Sequence, residues 1–267
     1  MITNAPSISI ITVVYNSRND IEKTILSIQK QTFKELEYIV IDGGSTDGTI
    51  DIIHQYENVI DNWISEPDKG LYDAMNKGIL LSKGKFLWFI NAGDEIFEDT
   101  TLEKLFAIDC FASDIYYGET ALIDENGNIL GSRSQLSNRE LPEKLNWKSL
   151  QIGMVVQHQS IIVRKEIAPL YNLNYKVAAD IDWVINGLKN TTKIVNSRLF
   201  LSKFLTTMFL GNNHGGGFSS QHYKRALKER FNIFTKHYGL VNTLYNHSYI
   251  FLKAVKKYLR NITPFSC

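Results

Sequence analysis

Apolar residues over the first third of the chain keep to a two-beat rhythm of short β-branched runs and longer helical spacings. Ile8 to Val14 is a strand-like run, followed by an Asn-Ser turn and by Ile21, Ile25 and Ile28 at helical spacing behind Asn19, read as the N-cap. Glu37 to Asp42 repeats the buried strand, and DGGSTDGT (42–49) is a polar turn. Ile50 and Ile53 share a face of the next short helix. Trp63 to Glu66 then predicts a strand, Gly70 to Leu81 a helix and Phe86 to Asn91 a strand. Near-continuous apolar strands alternating with helices require a parallel sheet covered on both faces and wound right-handedly. Residues 1–97 therefore read as a Rossmann-like, nucleotide-binding half of an α/β domain.

The rhythm changes after Asp94. Ile115 to Asp124 and Asn128 to Ser132 flank Glu125-Asn126-Gly127, which predicts a β-hairpin, and residues 98–217 read as a mixed α+β half of the same domain. Residues 218–267 read as a helical extension: a helix from Ser219 with Tyr223, Leu227, Phe231, Phe234 and Tyr238 along one stripe, then a tail from Tyr245 to Arg260. In that tail Tyr249, Ile250, Leu252, Val255 and Leu259 interleave with Lys253, Lys256, Lys257 and Arg260. Two readings stay open for it: a basic amphipathic helix in peripheral contact with anionic lipid, or a terminal helix docked on the domain.

Lys plus Arg number 29 against 28 Asp plus Glu, so the overall field offers nucleic acid no general attraction. Cys110 and Cys267 supply neither a disulfide framework nor a zinc spacing, which fits a reducing, cytoplasmic setting. No secretory leader is evident, and no apolar stretch approaches the ~20 residues needed to cross a bilayer. A membrane role would be peripheral, on the inner face.

In open parallel sheets ligands bind beyond the carboxyl ends of the strands. Four such places are unusually polar: Thr12 to Ser17, Asp42 to Thr49, Glu66 to Gly70 and Asn91 to Glu95. Neither GxGxxG after the first strand nor a P-loop is present, so bound phosphates need another counter-charge. Asp94, ending a strong strand beside Asn91 and Glu95, is where a carboxylate could hold a divalent ion bridging a diphosphate.

TVVYN, DGGSTDGT, EPDKGLYDAMNKGI and FLWFINAGDEI, in that order, resemble the motifs of the large family of inverting GT-A glycosyltransferases, which includes enzymes of bacterial capsule, O-antigen and exopolysaccharide assembly. The resemblance implies a GT-A nucleotide-sugar-binding domain with an acceptor-side half and C-terminal helices. It also implies transfer from a nucleoside-diphosphate sugar, a UDP-sugar by preference, to a carbohydrate or lipid-linked acceptor. It places Thr12, Val14, Tyr15 and Asn16 around base and ribose, with Asp42 accepting from the base. Lys69, Asp73 and Asn76 line the same edge, with helix capping as the alternative for them. The family's DxD is degraded: Asn91 holds its first position, toward the nucleotide, and Asp94 is left as the ligand for Mg²⁺ or Mn²⁺.

An inverting transfer also needs a carboxylate to take the acceptor's proton. AADIDW offers Asp180 as that base, with Asp182 as competitor or sugar contact; the two fall on different faces of a helix. The resemblance reaches His158 in QHQS, implying a place near donor or acceptor sugar, and His214 before a glycine run is a candidate metal ligand. The competing functions are a nucleotidyltransferase and a non-catalytic nucleotide-sugar-binding protein that keeps the fold without turnover.

Overall fold

The computed structural model describes residues 6–137, 139–206 and 222–262, without the side chains of 251 and 253–262. The predicted rhythm is realised as β1 (Ile8–Val14), α1 (Ile21–Gln29), β2 (Leu36–Asp42), α2 (Thr49–Gln55), β3 (Asn62–Ser65), α3 (Leu71–Leu81) and β4 (Phe86–Phe89). These four strands lie parallel in the order β3-β2-β1-β4, with Val14 opposite Asp42 and Asp42 opposite Ser65. The short β5 (Glu95–Ile96) and α4 (Thr101–Phe106) follow.

The second half continues the same sheet. β6 (Ile115–Ile123) and β7 (Ile129–Ser132) form the expected hairpin, with Gly127 at φ +81° in its turn. α5 (Arg133–Leu136), β8 (Ile161–Arg164), α6 (Ala179–Lys189) and β9 (Ile194–Leu205) come next. β8 runs antiparallel to β4 and β6, and β9 lies parallel to β6, so the nine strands make one sheet across the 97/98 boundary.

Strand alternation divides the core between the two faces. Ile8, Ile10, Tyr38, Val40 and Trp88 pack with Ile21, Ile25 and Ile28 of α1 and Leu102 and Leu105 of α4. Ile11, Val13, Ile39, Ile41 and Phe89 pack on the other face with Tyr72 and Met75 of α3 and Trp183 and Val184 of α6. The N-cap of α1 is Asp20 rather than Asn19, and it caps without its side chain. The backbone N–H groups of Asp20 and Ile21 donate to the Ser17 carbonyl instead.

Two helices close the described chain, α7 (Tyr223–Tyr238) and α8 (Leu240–Ile262). Residues 219–221 lie outside the described residues. The buried face of α7 is Ala226, Glu229, Ile233, Phe234 and Tyr238, whereas Tyr223 and Leu227, expected on the apolar stripe, face solvent. The stripe is displaced because a carboxylate belongs to it. Glu229 accepts hydrogen bonds from the backbone N–H groups of Lys176, Val177 and Ala178 and from Arg225 Nε. It thereby fixes the approach to α6. Burial alone would raise the proton affinity of Glu229, but these donors overcome it and its pKa lies below the usual value.

Glu229→Ala leaves three backbone donors of the 176–178 segment without their acceptor and is expected to cost about 3 kcal/mol. Urea unfolding should show the midpoint lowered. An unchanged midpoint would mean that α7 does not hold α6.

Candidate active site

The parallel register makes β3, β2, β1 and β4 finish at one edge, where the four polar loops meet. β4 continues its pairing past Phe89, since the N–H groups of Ile90 and Ala92 donate to Ile11 and Val13. Asn91 is thus delivered beside the end of β1.

Asp42 organises the base-side loops from within. Fully buried, it accepts from the N–H groups of Gly44 and Ser45 and from the hydroxyls of Ser45 and Ser65. Oδ2 takes three of these donors, and Oδ1 takes the Ser45 hydroxyl alone. Asn16, at φ +47°, donates its N–H to Ser45 Oγ and accepts from the N–H of Thr46, locking the two loops together. Thr12 also lies behind the edge, donating to the Ile90 carbonyl and accepting from Tyr38. Val14 packs into the core.

What remains open at this edge is Tyr15, 63% exposed, with Gly43 beneath it, whose N–H is given to the Val14 carbonyl. A Cβ on Gly43 would stand 2.6 Å from Asp68 Oδ2 and 3.4 Å from the Tyr15 ring, so only glycine lets these two side chains approach one another. Asp68 Oδ1 accepts from the Gly70 N–H, and Oδ2 has no hydrogen-bond partner among the described residues. Asp68 stands beside Lys69 in EPDKG, and nothing in that motif alone singles it out from the other turn residues. Lys69 itself is exposed on the rim, with its N–H capped by Asp73. Asn76 clasps both backbone polar groups of Tyr171.

The loop after β4 is held by Thr24 of α1, whose Oγ1 donates to the Asp94 carbonyl at 2.7 Å and accepts from the Gly93 N–H. Its side chains are treated differently. The Asp94 carboxyl is 9% exposed and has no hydrogen bond or ion pair among the described residues, and burial pushes its pKa up to about 8. Asn91 Oδ1 is buried and also unpartnered. Two unmet oxygen acceptors in one turn suit a hard cation and a polar ligand. Among the described residues no three His, Cys, Asp or Glu side chains gather as a complete metal site, so any cation here takes most of its ligands from substrate and water.

Across the cleft, Asp180 stands in the first turn of α6 and accepts from the Tyr72 hydroxyl at 3.2 Å. Burial raises its pKa, against the opposing pull of the Ile181 N–H, the Tyr72 hydroxyl and the Arg230 charge. Tyr72 stacks on Tyr171 and Tyr171 on Trp183, while His158 lies against Phe89 and Trp183 and bonds the Tyr171 hydroxyl through Nε2 at 2.6 Å. Burial lowers the His158 pKa to about 4, so the ring is neutral near pH 7, and Nδ1 has no hydrogen-bond partner among the described residues. Asp182 does not share this cleft. It is 3% exposed and bound to His237 Nε2, Lys236 Nζ and Asn186 Nδ2, which hold its pKa below the usual value although burial alone would raise it. Asp182 thereby ties α6 to α7. His214 lies outside the described residues.

Comparison with known proteins gives the family and the fold. The model of the family described as glycosyl transferase family 2 matches residues 9–168. An uncharacterized glycosyltransferase of Mycobacterium tuberculosis is 40% identical over 77% of each chain. The crystal structure of Staphylococcus aureus TarS 1–349 in complex with UDP superposes with a TM-score of 0.62 at 20% identity, over 86% of this chain and 64% of that one. A mannosyltransferase from Pyrobaculum calidifontis, in complex with GDP-Man and Mn²⁺, superposes with a TM-score of 0.59 at 12% identity, over 98% of this chain and 82% of that one. The likeness to these structures establishes the GT-A fold.

The raised pKa of Asp94 has a consequence for stability. The folded state holds this proton up to about pH 8, and the unfolded chain releases it near the ordinary value of 3.8. Wild-type stability relative to Asp94→Asn should therefore fall as pH rises between those two values and level off above pH 8. Thermal melts of the ligand-free proteins should show the variant's advantage growing from pH 5 to pH 8, and a pH-independent difference would contradict the burial of this charge.

Proposed function

The chain belongs to glycosyl transferase family 2 and is a glycosyltransferase, and from that premise we propose that it inverts the anomeric carbon of a UDP-sugar while transferring the sugar to a carbohydrate or lipid-linked acceptor in surface polysaccharide assembly. The observation that carries this reading is that, among the described residues, burial raises the proton affinity of two carboxyl groups, Asp94 and Asp180. Perturbed acids of this kind gather where chemistry is done.

In this reading Tyr15 and the backbone of Gly43 receive the base, with Asp68 Oδ2 accepting from a pyrimidine N–H, and Asn91 Oδ1 accepts from the ribose. Asp94 would hold Mg²⁺ or Mn²⁺ together with the donor's phosphates, and the cation would supply charge neutralisation for the departing diphosphate. Asp180 takes the proton of the attacking hydroxyl, its raised proton affinity making it the stronger base. Tyr72 and the α6 N-terminus orient it. Neutral His158 presents Nδ1 to a sugar hydroxyl.

Contact with a membrane belongs to the same proposal. No described helix is long and apolar enough to cross one, but α8 exposes Leu240, Val241, Leu244, Tyr245, Tyr249 and Leu252. With the lysines that follow in sequence, this face suits peripheral attachment to the cytoplasmic leaflet. The full chain should sediment with anionic liposomes at low salt, and a chain ending at Tyr238 should not; equal behaviour of the two removes the membrane from the account.

The reaction itself is tested with Asp180→Asn. This variant should bind UDP with Mn²⁺ as wild type does while losing at least ~100-fold in kcat, within the usual contribution of a positioned base. Asp182→Asn should instead lower the melting temperature, with a smaller effect on kcat. Near-normal turnover by Asp180→Asn would refute the assignment.

A further inference from the structure

Three arginines converge without an ion-paired carboxylate among the described residues. Arg133 opens α5, whose start is fixed by the Ser132–Gln135 capping box; Arg139 follows shortly after it; Arg230 comes from α7, next to Glu229. Arg133 Nη2 and Arg139 Nη1 both donate to the Met154 carbonyl, at 2.7 and 3.0 Å. Gly153, at φ +122°, lies beneath them. A Cβ there would stand 2.9 Å from Arg139 Nη1 and Nη2 and from Arg230 Nη2, so a larger residue would displace the guanidinium groups.

None of the three forms an ion pair among the described residues, and the stretches outside them contain no Asp or Glu that could supply one. Glu119 and Asp180 act on Arg133 and Arg230 through the field alone. The cost is visible in the titration of the group: burial and the charge of Arg139 lower the Arg133 pKa to about 10, and burial and the charge of Arg230 lower that of Arg139. Half-buried cations of one sign, held together with no ion-paired carboxylate among the described residues, favour an anion from outside. The planar, many-donor guanidinium suits phosphate in particular.

The place of the cluster in the sheet says which phosphate. Arg133 and Arg139 line a narrow crevice with Gly118, Glu119, Val156 and Gln157, at the β6 end of the same edge, and their guanidinium groups must part to admit a ligand. The order β4-β8-β6 puts this crevice two strands beyond Asn91, about 10 Å away at the usual strand spacing, and on the side away from Tyr15 and Gly43. We propose that Arg133, Arg139 and Arg230 form an anion site for a phosphate group carried by the acceptor, holding it beside Asp180. The inference rests on the donor lying at the β2-β1-β4 end, as in the function proposed above.

The probe is inorganic phosphate, titrated by calorimetry into the full-length protein already saturated with UDP and Mg²⁺. Wild type should bind phosphate under these conditions, and the double variant Arg133→Gln/Arg139→Gln should bind it at least tenfold more weakly while keeping its affinity for UDP. Arg230→Gln, at a side chain that makes no hydrogen bond among the described residues, should weaken phosphate binding likewise and carries the test if the double variant does not fold. Farnesyl phosphate titrated in parallel separates the sources: tighter binding than inorganic phosphate marks a lipid-borne group, and equal binding a soluble one. Phosphate that competes with UDP, binds the variants as it binds wild type, or does not bind wild type at all would overturn the site. UDP affinity, measured separately, shows whether the donor reading stands when the phosphate site fails.

Discussion

The constraint on which the rest depends is the parallel register that ends β3, β2, β1 and β4 together. Parallel strands need long crossovers, and the crossovers here leave their polar turns on one edge. Those turns cannot be left loose, because each carries backbone donors that must be met close to the core. Asp42 meets several of them at once and binds β2, its turn and β3 into a single unit. That unit presents Gly43, with Tyr15 and Asp68 drawn in against it.

Polar groups in and near the interior fall into two sets. Asp42, Asp182 and Glu229 have their oxygens taken by protein donors, and each joins parts of the chain distant in sequence. Among the described residues Asn91 Oδ1 and the Asp94 carboxyl are left without partners, and the arginine cluster without an ion pair, at a cost to stability. The first set builds the cleft. In the proposed reaction the second set does the binding, which is the usual exchange of stability for function.

Much of this was legible in the sequence, and the limits are physical. The β-branched runs and helical spacings of residues 8–91 located the strands and helices, because a one-sided or two-sided core leaves its period in the chain. The hairpin at Gly127 was equally plain, since its turn demands a residue at positive φ. Thr12 illustrates where the reading stopped: its motif pointed to the ligand, but strand alternation turns its side chain inward to Tyr38. For Asp42 and Asp182 the motif names a carboxylate but not the protein donors it meets. Glu229 was missed for the complementary reason. A charge on an apparently solvated helix face gave no hint that three backbone N–H groups, some fifty residues earlier, would need it.

The central claim is that the unpartnered oxygens at the end of β4 receive a nucleoside diphosphate through a divalent ion. Calorimetric titration of the full-length wild-type chain with UDP, with and without Mn²⁺, tests it most directly. The account predicts binding at least tenfold tighter with the metal than without it. Equal affinity in the two titrations, or no binding of UDP in either, would contradict it.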